Sequence, residues 1–259
     1  MQQKQPTEGP FFPPNSSAII ITKIASTALI DEVVKTVRSY FTLPISQYIE
    51  MDADSYRTLV AEAQDQLNKR YFTRLLTNDQ LDLLMDVLAT KHILIQRNLC
   101  LRATRPQIKN LQEFVGWHRE SFYGIGVERC VNFWVPIANV NVENTLRYIP
   151  DSHLIPDDRL EIIRVEDAST PKHSSGHKIG LRYAPKNIIS GVDFSQARPF
   201  QVKVGEAAIF SGALIHGAAE NSSNLIRFSM DFRVIAKEAY GGPEIKPSDS
   251  SSFFSFVPL

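Results

Sequence analysis

The sequence predicts a mainly β protein with a helical buttress, whose core is a double-stranded β-helix (jelly roll). The first third of the chain carries three amphipathic helical patterns. From residue 92 onward, seven or eight short segments rich in β-branched and aromatic residues follow one another, separated by Gly, Pro, Asn, Asp and Ser. Many short strands after a helix-rich start favour a jelly roll with helices packed against one sheet.

Composition restricts the classes of function. Among 259 residues, 28 Lys and Arg balance 28 Asp and Glu, so the net charge gives no support to nucleic-acid or anionic-membrane binding. No apolar run reaches the length of about 18 residues that a transmembrane helix needs, and the polar, Pro-rich segment 1–17 lacks the apolar centre of a signal peptide. Cys100 and Cys130 are too few for a disulfide framework. We therefore expect a cytoplasmic protein.

We predict a single domain spanning 1–259. Its parts are a loose N-terminal segment, a helix-rich support, the jelly-roll core and a C-terminal tail, over 1–17, 18–91, 92–236 and 237–259. Apolar periodicity predicts helices over 29–41, 54–71 and 76–91, preceded by a strand over 18–24. The long polar loop 156–175 is a candidate lid. The aromatic residues of the tail are expected either to dock on the domain or to mediate self-association.

The stretch 113–123, EFVGWHRESFY, contains the first candidate metal ligands. In an extended segment side chains alternate between faces, so His118 and Glu120 point the same way and Arg119 points the other way. An imidazole beside a carboxylate provides two of the three ligands of a 2-His-1-carboxylate metal site. The pattern alone is a weak signal, because a His next to a Glu is more often a hydrogen-bonded pair.

A second stretch, 204–234, strengthens this interpretation. His216 follows a Gly-flanked apolar run, and Arg227 comes eleven residues later in an alternating, strand-like segment. Neutral imidazoles from His118 and His216 together with the Glu120 carboxylate suit a ferrous ion and leave coordination positions open for other molecules.

Four motifs carry a family resemblance: GWHRE at 116–120, ENTLRYIPDSH at 143–153, GEAAIFSGALIHGAAENSS at 205–223 and IRFSMDFR at 226–233. In this order and spacing they resemble the Fe(II)- and 2-oxoglutarate-dependent oxygenases, most closely the phytanoyl-CoA dioxygenase-like branch, over about residues 96–234. The resemblance implies a cupin-like jelly roll that holds Fe(II) through the catalytic residues His118, Glu120 and His216. It also implies 2-oxoglutarate as co-substrate, dioxygen as second substrate and a small molecule as the substrate that is oxidised.

The resemblance assigns the remaining site residues as well. Arg227 is expected to bind the remote carboxylate of 2-oxoglutarate, since a guanidinium is a permanently charged, two-pronged donor. Arg233, six residues further on and on the same face, is the rival for this role. Thr145, 27 residues after His118, is expected to place its hydroxyl beside the same carboxylate, as some relatives do, and Asn132 and Trp134 are expected to line the co-substrate pocket. For Asn132 and Trp134, ordinary core packing is an equally good interpretation.

Residues near the first motif are candidates to face the substrate. They are Arg102, Phe122 and Tyr123, for which packing or a surface position remains the alternative. A balanced surface charge favours a small metabolite or natural-product intermediate over nucleic acid. His153, which ends the PDSH turn, is expected to tie a loop by hydrogen bonding. His173 and His177 lie in a polar loop and are expected to be solvated.

The alternatives differ in class. Glu120 departs from the Asp that most of this branch has at the equivalent place, but it keeps the carboxylate, which argues against a halogenase. Hydroxylation is the expected reaction, and desaturation, ring closure and epimerisation stay open.

A catalytically silent jelly-roll protein that binds a small molecule is the second hypothesis. A different cupin-type metal enzyme is the third, although Arg227 has no evident role there.

Overall fold

The computed structural model describes residues 18–24, 26–71, 74–107, 116–123, 130–164, 186–218, 220–240 and 256–258. The predicted loose segment 1–17, the histidines at 173 and 177, and the side chain of Tyr123 lie outside the described residues. The strands in the described residues are β1 (Ile19–Lys23), β2 (Ile93–Gln96), β3 (Cys100–Thr104), β4 (Cys130–Ala138), β5 (Leu146–Tyr148), β6 (Glu161–Arg164), β7 (Lys186–Ser190), β8 (Arg198–Pro199), β9 (Glu206–Ser211), β10 (His216–Ala218), β11 (Arg227–Ala236) and β12 (Phe256–Pro258).

Three antiparallel sheets organise these strands. Seven strands form the largest sheet, in the order β1-β9-β4-β11-β2-β12, with β3 also paired to β11. A second sheet has the order β10-β5-β8, and β6 pairs with β7 in a third. The predicted mainly β architecture is confirmed, and β11 is its central element because it pairs with β4 on one side and with both β2 and β3 on the other.

Helices occupy the predicted N-terminal third. They are α1 (Thr27–Arg38), α2 (Ile45–Glu50), α3 (Ala53–Arg70) and α4 (Asn78–Val87). The three longer helices confirm the predicted periodicity, and the short α2, which starts after Pro44, was not predicted. Each longer helix begins at a residue whose side chain accepts a backbone hydrogen bond: Ser26, Asp52 and Thr77. In the described residues, no helix combines the length and apolar character needed to cross a bilayer.

Strand β11 separates an apolar layer from a polar interior. One face carries Phe228, Met230, Phe232 and Val234, which join the main hydrophobic core together with the helices. The Phe228 ring meets that of Phe41 at 4.8 Å between centroids, so this face packs against the helical layer. Because side chains alternate, the other face carries Arg227, Ser229, Asp231 and Arg233, all unusual for a buried strand. We call this second face the polar interior.

Two strands of the large sheet come from outside the predicted core 92–236. Strand β1 pairs with β9, and β12 of the predicted tail pairs with β2. The Phe256 side chain is buried in a small cluster with Leu94, Cys130 and Ile235. The tail therefore docks through this aromatic residue, which is one of the two outcomes considered from the sequence. That the whole chain is one domain stays a prediction.

This docking can be tested by chemical unfolding. Phe256→Ala should lower the free energy of unfolding by about 3 kcal/mol, because it removes a buried aromatic side chain and leaves a cavity. Pro258→Ala, at an exposed position of the same strand, is the matched control and should change it by less than about 0.5 kcal/mol. Equal losses in the two variants would contradict the buried role of Phe256.

Candidate metal centre

A directly opposed pair of histidines forms the centre of the site. The backbone N–H of His118 donates to the carbonyl of His216 at 2.9 Å, and the N–H of His216 donates to the carbonyl of His118 at 3.0 Å. Residues that exchange both hydrogen bonds in an antiparallel pair project their side chains from the same face. Their ring centroids are 4.3 Å apart, and both side chains are buried. The backbone therefore determines that the two imidazoles lie side by side.

Glu120 reaches the same point by a geometry that differs from the predicted one. It does not continue an extended segment but begins the 3₁₀-helix Glu120–Tyr123, and its N–H donates to the carbonyl of Gly212 at 2.9 Å. Its Oε1 nevertheless lies 3.6 Å from Nε2 of His118 and 3.5 Å from Nε2 of His216. The backbone hydrogen bond to Gly212, and not the alternation of side chains along a strand, therefore brings the Glu120 carboxylate to the two histidines.

Hydrogen bonds on the far side of each ring assign the tautomers. Nδ1 of His118 lies 2.7 Å from the carbonyl oxygen of Gly116, and Nδ1 of His216 lies 3.0 Å from that of Leu214. A carbonyl only accepts, so each Nδ1 carries the proton and each Nε2 turns a lone pair towards Glu120. Burial, followed by the nearby His216, lowers the pKa of His118 and keeps its imidazole neutral. Three electron-pair donors that face one another are the arrangement that a metal cation stabilises.

The second oxygen of Glu120 is held by Arg233. Nε of Arg233 donates to Oε2 of Glu120 at 2.5 Å, and Nη1 donates to Oε1 of Gln96 at 3.0 Å. Burial by itself would raise the pKa of Glu120, but the Arg233 guanidinium together with the two neighbouring histidines outweighs it and holds this pKa well below its usual range. Arg233 is thus committed to the carboxylate of the triad, which leaves Arg227 as the candidate for the co-substrate.

Arg227 is buried without a carboxylate partner among the described residues. Its Nη1 donates to the backbone carbonyl of Asn144 and its Nη2 donates to Oγ1 of Thr104, both at 2.8 Å, while Nε has no partner there. Burial lowers the pKa of Arg227 to about 10, which leaves it protonated at neutral pH. A permanently charged group in this position is costly unless an anion joins it. Both contacts were missed from the sequence: Thr104 lies outside the four motifs, and Asn144 lies within the second motif but contributes its backbone carbonyl.

Within the part of the chain that the structure describes, further polar atoms without hydrogen-bond partners lie on the polar interior. They are both side-chain amide atoms of Asn132, Nε1 of Trp134 and Oγ of Ser229. Strand register places Asn132 opposite Arg233 and Trp134 opposite Asp231, so both share the face of the charged residues. Buried polar groups are almost always paired, and a cluster of exceptions indicates a place where a polar ligand binds. Ser229 was not predicted, although its position two residues after Arg227 could have indicated it.

Thr145 differs from its predicted contact. It is buried beside Asn144, but its hydroxyl donates to the backbone carbonyl of Phe200 at 3.3 Å. The hydroxyl that does contact the Arg227 guanidinium belongs to Thr104 on β3.

The candidate substrate residues lie on two elements, Arg102 on β3 and the other two on the 3₁₀-helix Glu120–Tyr123. Arg102 lies on the polar interior, where its Nε and Nη2 donate to the two carboxylate oxygens of Asp231 at 2.8 and 3.4 Å. Phe122 packs with a second apolar cluster that includes Ile188 and Ile215. This contact favours the packing interpretation of Phe122. Tyr123 belongs to the 3₁₀-helix by its backbone.

Arg119, between the two ligands of the first motif, points away from them as predicted. Its buried guanidinium donates to the carboxylate of Asp157 and to the backbone carbonyls of Ser152 and Ile155. The PDSH turn is further held by Oγ of Ser152, which accepts from the N–H of Ile215 at 2.8 Å. The expected hydrogen bonds of His153 are wrong for the described residues, where both of its ring nitrogens lack a partner.

Comparison with known proteins identifies the family. The sequence model described as Phytanoyl-CoA dioxygenase (PhyH) matches residues 25–229, which includes all three residues of the triad and Arg227. The chain belongs to this family. As a phytanoyl-CoA dioxygenase family member it is an Fe(II)- and 2-oxoglutarate-dependent oxygenase, and its two imidazoles and one carboxylate fit a ferrous ion. No curated protein sequence matches the chain at a significant level.

Solved structures share the fold at low sequence identity. EvdO2 from Micromonospora carbonacea var. aurantiaca, complexed with 2-oxoglutarate, is similar with a TM-score of 0.55 and 16% identity, covering 85% of this chain and 87% of that one. The epimerase SnoN, in complex with Fe³⁺, alpha ketoglutarate and nogalamycin RO, is similar with a TM-score of 0.54 and 13% identity, covering 94% and 91%. The apo non-heme monooxygenase ThoJ has a TM-score of 0.53 and 16% identity, covering 85% and 74%. These likenesses confirm the predicted jelly-roll fold of this phytanoyl-CoA dioxygenase family member.

The contacts of Arg119 lead to a stability prediction. Arg119→Met should lower the free energy of unfolding by about 2–4 kcal/mol, because it leaves two buried backbone carbonyls without donors. Asp157→Ala removes only the exposed partner of the same guanidinium and should cost less than about 1 kcal/mol. Chemical unfolding of the two variants measures the difference. If the Asp157 variant lost as much stability as the Arg119 variant, the carbonyl contacts would not be the reason.

Proposed function

We propose that the protein oxidises, by hydroxylation, a small-molecule metabolite or natural-product intermediate, with release of succinate and CO₂ from 2-oxoglutarate. The observation that carries this proposal is the buried guanidinium of Arg227, which has no ion pair among the described residues and lies on the same face of β11 as Arg233, the arginine that contacts the triad. A silent binding protein would gain nothing from a metal triad and a dicarboxylate clamp together, and each is costly to bury.

Each residue of the triad has a role in this proposal. His118, Glu120 and His216 would hold Fe(II), and the carbonyls of Gly116 and Leu214 fix the imidazole tautomers from behind. When bound, Fe(II) and 2-oxoglutarate supply the oxidising chemistry by activating dioxygen. The three ligands come from one side, so positions on the other side stay available for the co-substrate and dioxygen.

The co-substrate pocket is proposed to begin at Arg227. Its guanidinium would receive the remote carboxylate of 2-oxoglutarate in a charge-assisted pair, with Thr104 and Asn144 orienting it from behind. Ser229 and Asn132 carry unpartnered hydroxyl and amide groups on the same face and are proposed as additional donors, with Trp134 beside them. Thr145 is proposed to shape the pocket wall, because its hydroxyl is engaged with Phe200.

The class of substrate is supported by the chain's neutral net charge and by its structural neighbours. One neighbour is an epimerase whose complex contains nogalamycin RO. Arg102 and Tyr123 remain candidates for contact with it. We also propose a cytoplasmic location, since Cys100 and Cys130 form no disulfide.

A spectroscopic experiment tests the proposed function directly. Anaerobic addition of Fe(II) and then 2-oxoglutarate to the purified protein should produce the weak visible absorption of the metal chelate. Succinate release, screened over a panel of metabolites and natural-product intermediates, should then identify the substrate class. Absence of the chelate absorption at saturating Fe(II) and 2-oxoglutarate would favour the silent binding protein.

Removal of one ligand should abolish metal binding without loss of the fold. His216→Ala deletes a ligand donor and should weaken Fe(II) or Co(II) binding at least about 100-fold, since two protein ligands do not hold a ferrous ion well. His153→Ala, another buried histidine without partners among the described residues, is the control and should bind metal as the parent protein does. Calorimetric titration measures both, and equal affinities in both variants would exclude His216 as a ligand.

Arg227 should determine the affinity for the co-substrate. Arg227→Ala should raise the dissociation constant of 2-oxoglutarate about 100-fold or more and leave Co(II) affinity unchanged, because a buried charge pair is lost. Ser229→Ala should have a smaller effect, about 3–10-fold, as expected for one hydrogen bond. Arg105→Met is the control, since the Arg105 guanidinium donates to the carbonyls of Tyr48 and Met51 on the helical side. Unchanged 2-oxoglutarate affinity in Arg227→Ala would place the clamp elsewhere.

A further inference from the structure

The two carboxylate oxygens of Glu120 are used differently. Oε1 faces Nε2 of both histidines at 3.5–3.6 Å, whereas Oε2 receives Nε of Arg233 at 2.5 Å. All of these groups are buried, with Glu120 and Arg233 each almost fully removed from solvent. A charge-assisted hydrogen bond in such a position is strong and directional. Oε2 is thereby turned away from the point at which the three donors converge.

Arg233 is itself held in place by residues of two strands. Gln96 on β2 accepts from its Nη1 at 3.0 Å, and Oδ2 of Asp231 on β11 lies 3.5 Å from the same nitrogen. Asp231 in turn is bound through both carboxylate oxygens by Arg102 on β3. The position of the guanidinium is therefore fixed by groups outside the triad. A chain of alternating charges, Arg102, Asp231, Arg233 and Glu120, leads to the metal centre.

A carboxylate can bind a metal through one oxygen or through two. With two, Glu120 would take up one of the positions that the co-substrate and dioxygen need, since a 2-His-1-carboxylate centre works by keeping a face open. We propose that Arg233 is a positioning residue that restricts Glu120 to one-oxygen metal coordination by holding Oε2. This inference rests on the proposed function. It also gives a reason for Glu instead of the shorter Asp at position 120.

The length of the side chain matters for the same reason. Glu120 spans the distance between the converging imidazoles and the Arg233 guanidinium, with one oxygen at each end. An Asp at this position is one methylene shorter and would have to give up either the metal or Arg233. The residue at 120 and Arg233 should therefore act as a coupled pair.

Metal binding tests the coupling without depending on turnover. Metal-free protein is titrated anaerobically with Co(II), with dissociation constants from calorimetry and coordination from visible absorption. Arg233→Lys should weaken Co(II) binding 10–100-fold, the range typical when the hydrogen-bond partner of a ligand is altered, and should change the Co(II) absorption bands. Arg105→Lys, which changes a buried arginine bonded to the carbonyls of Tyr48 and Met51 on the helical side, should leave both unchanged. A purely structural role for Arg233 would lower stability without altering the bands, and that result would overturn the proposal.

A double-mutant cycle keeps the proposal testable if Arg233→Lys folds poorly. Glu120→Asp retains both charges and should by itself weaken Co(II) binding and change the absorption bands. The combination with Arg233→Lys should be little worse than either single variant, because each removes the same contact. Full additivity of the two losses would overturn the coupling. If the parent protein bound neither Co(II) nor 2-oxoglutarate, the proposed function would fail; normal parent binding with an unaffected Arg233 variant would refute this inference alone.

Discussion

The reciprocal backbone hydrogen bonds between His118 and His216 are the constraint on which the site depends. They join the start of β10 to a short segment far from it in sequence, and they orient both imidazoles from one face. Backbone hydrogen bonds also hold the residues on either side of His118. The N–H of Ile188 donates to the carbonyl of Trp117, and that of Glu120 donates to the carbonyl of Gly212. A metal centre built on main-chain contacts keeps its geometry even before the metal binds.

Close packing of main chain against main chain explains the glycines beside these histidines. A side-chain carbon added at Gly217 would meet the carbonyl oxygen of Gly116 at 3.1 Å and the N of Trp117 at 3.3 Å. The two segments can approach this closely because neither has a side chain at the point of contact. Since the carbonyl of Gly116 also accepts from Nδ1 of His118, the same close approach supports the tautomer that a metal ligand needs.

The polar interior carries an uneven set of charges. Glu120 is paired with Arg233 and Asp231 with both Arg102 and Arg233, so their burial is offset by ion pairs and hydrogen bonds. Arg227 has no ion pair among the described residues, and its hydrogen bonds there go to neutral oxygen atoms. The protein thus keeps a cationic position at the cost of some folding stability. Function that depends on an uncompensated buried group is the usual reason for such a cost.

Features that depend on residues close together in the sequence could be predicted, whereas contacts between residues far apart in the sequence could not. The three long helices and the strand-rich remainder follow from local periodicity, and His118, Glu120, His216 and Arg227 follow from motif spacing. The role of Arg233 could not be predicted in this way, because it depends on the register of β11 and on the side chain of Gln96, which lies on another strand. The backbone at Glu120 was expected to be extended, but a tertiary hydrogen bond overrode the local pattern.

The contacts of Arg227 could not be predicted from the sequence for a related reason. Thr104 lies on β3, directly opposite Arg227 in the antiparallel register, and no motif connects the two. Thr145 was preferred instead on spacing alone. Its hydroxyl bonds to the carbonyl of Phe200, because the chain there folds back onto β5. Pairwise register, which depends on the whole fold, decides such neighbours.

Strand β1 has a consequence for how the jelly roll can be divided. It pairs residue by residue with β9, from Ile19 opposite Phe210 to Lys23 opposite Glu206. Trimming the chain to the strand-rich portion after residue 92 would leave the backbone donors and acceptors of β9 uncovered along a short apolar segment. Such an unprotected sheet border recruits other chains and causes aggregation. Strand β1 therefore protects the enzyme from aggregation, although the residues of its metal site all lie later in the sequence.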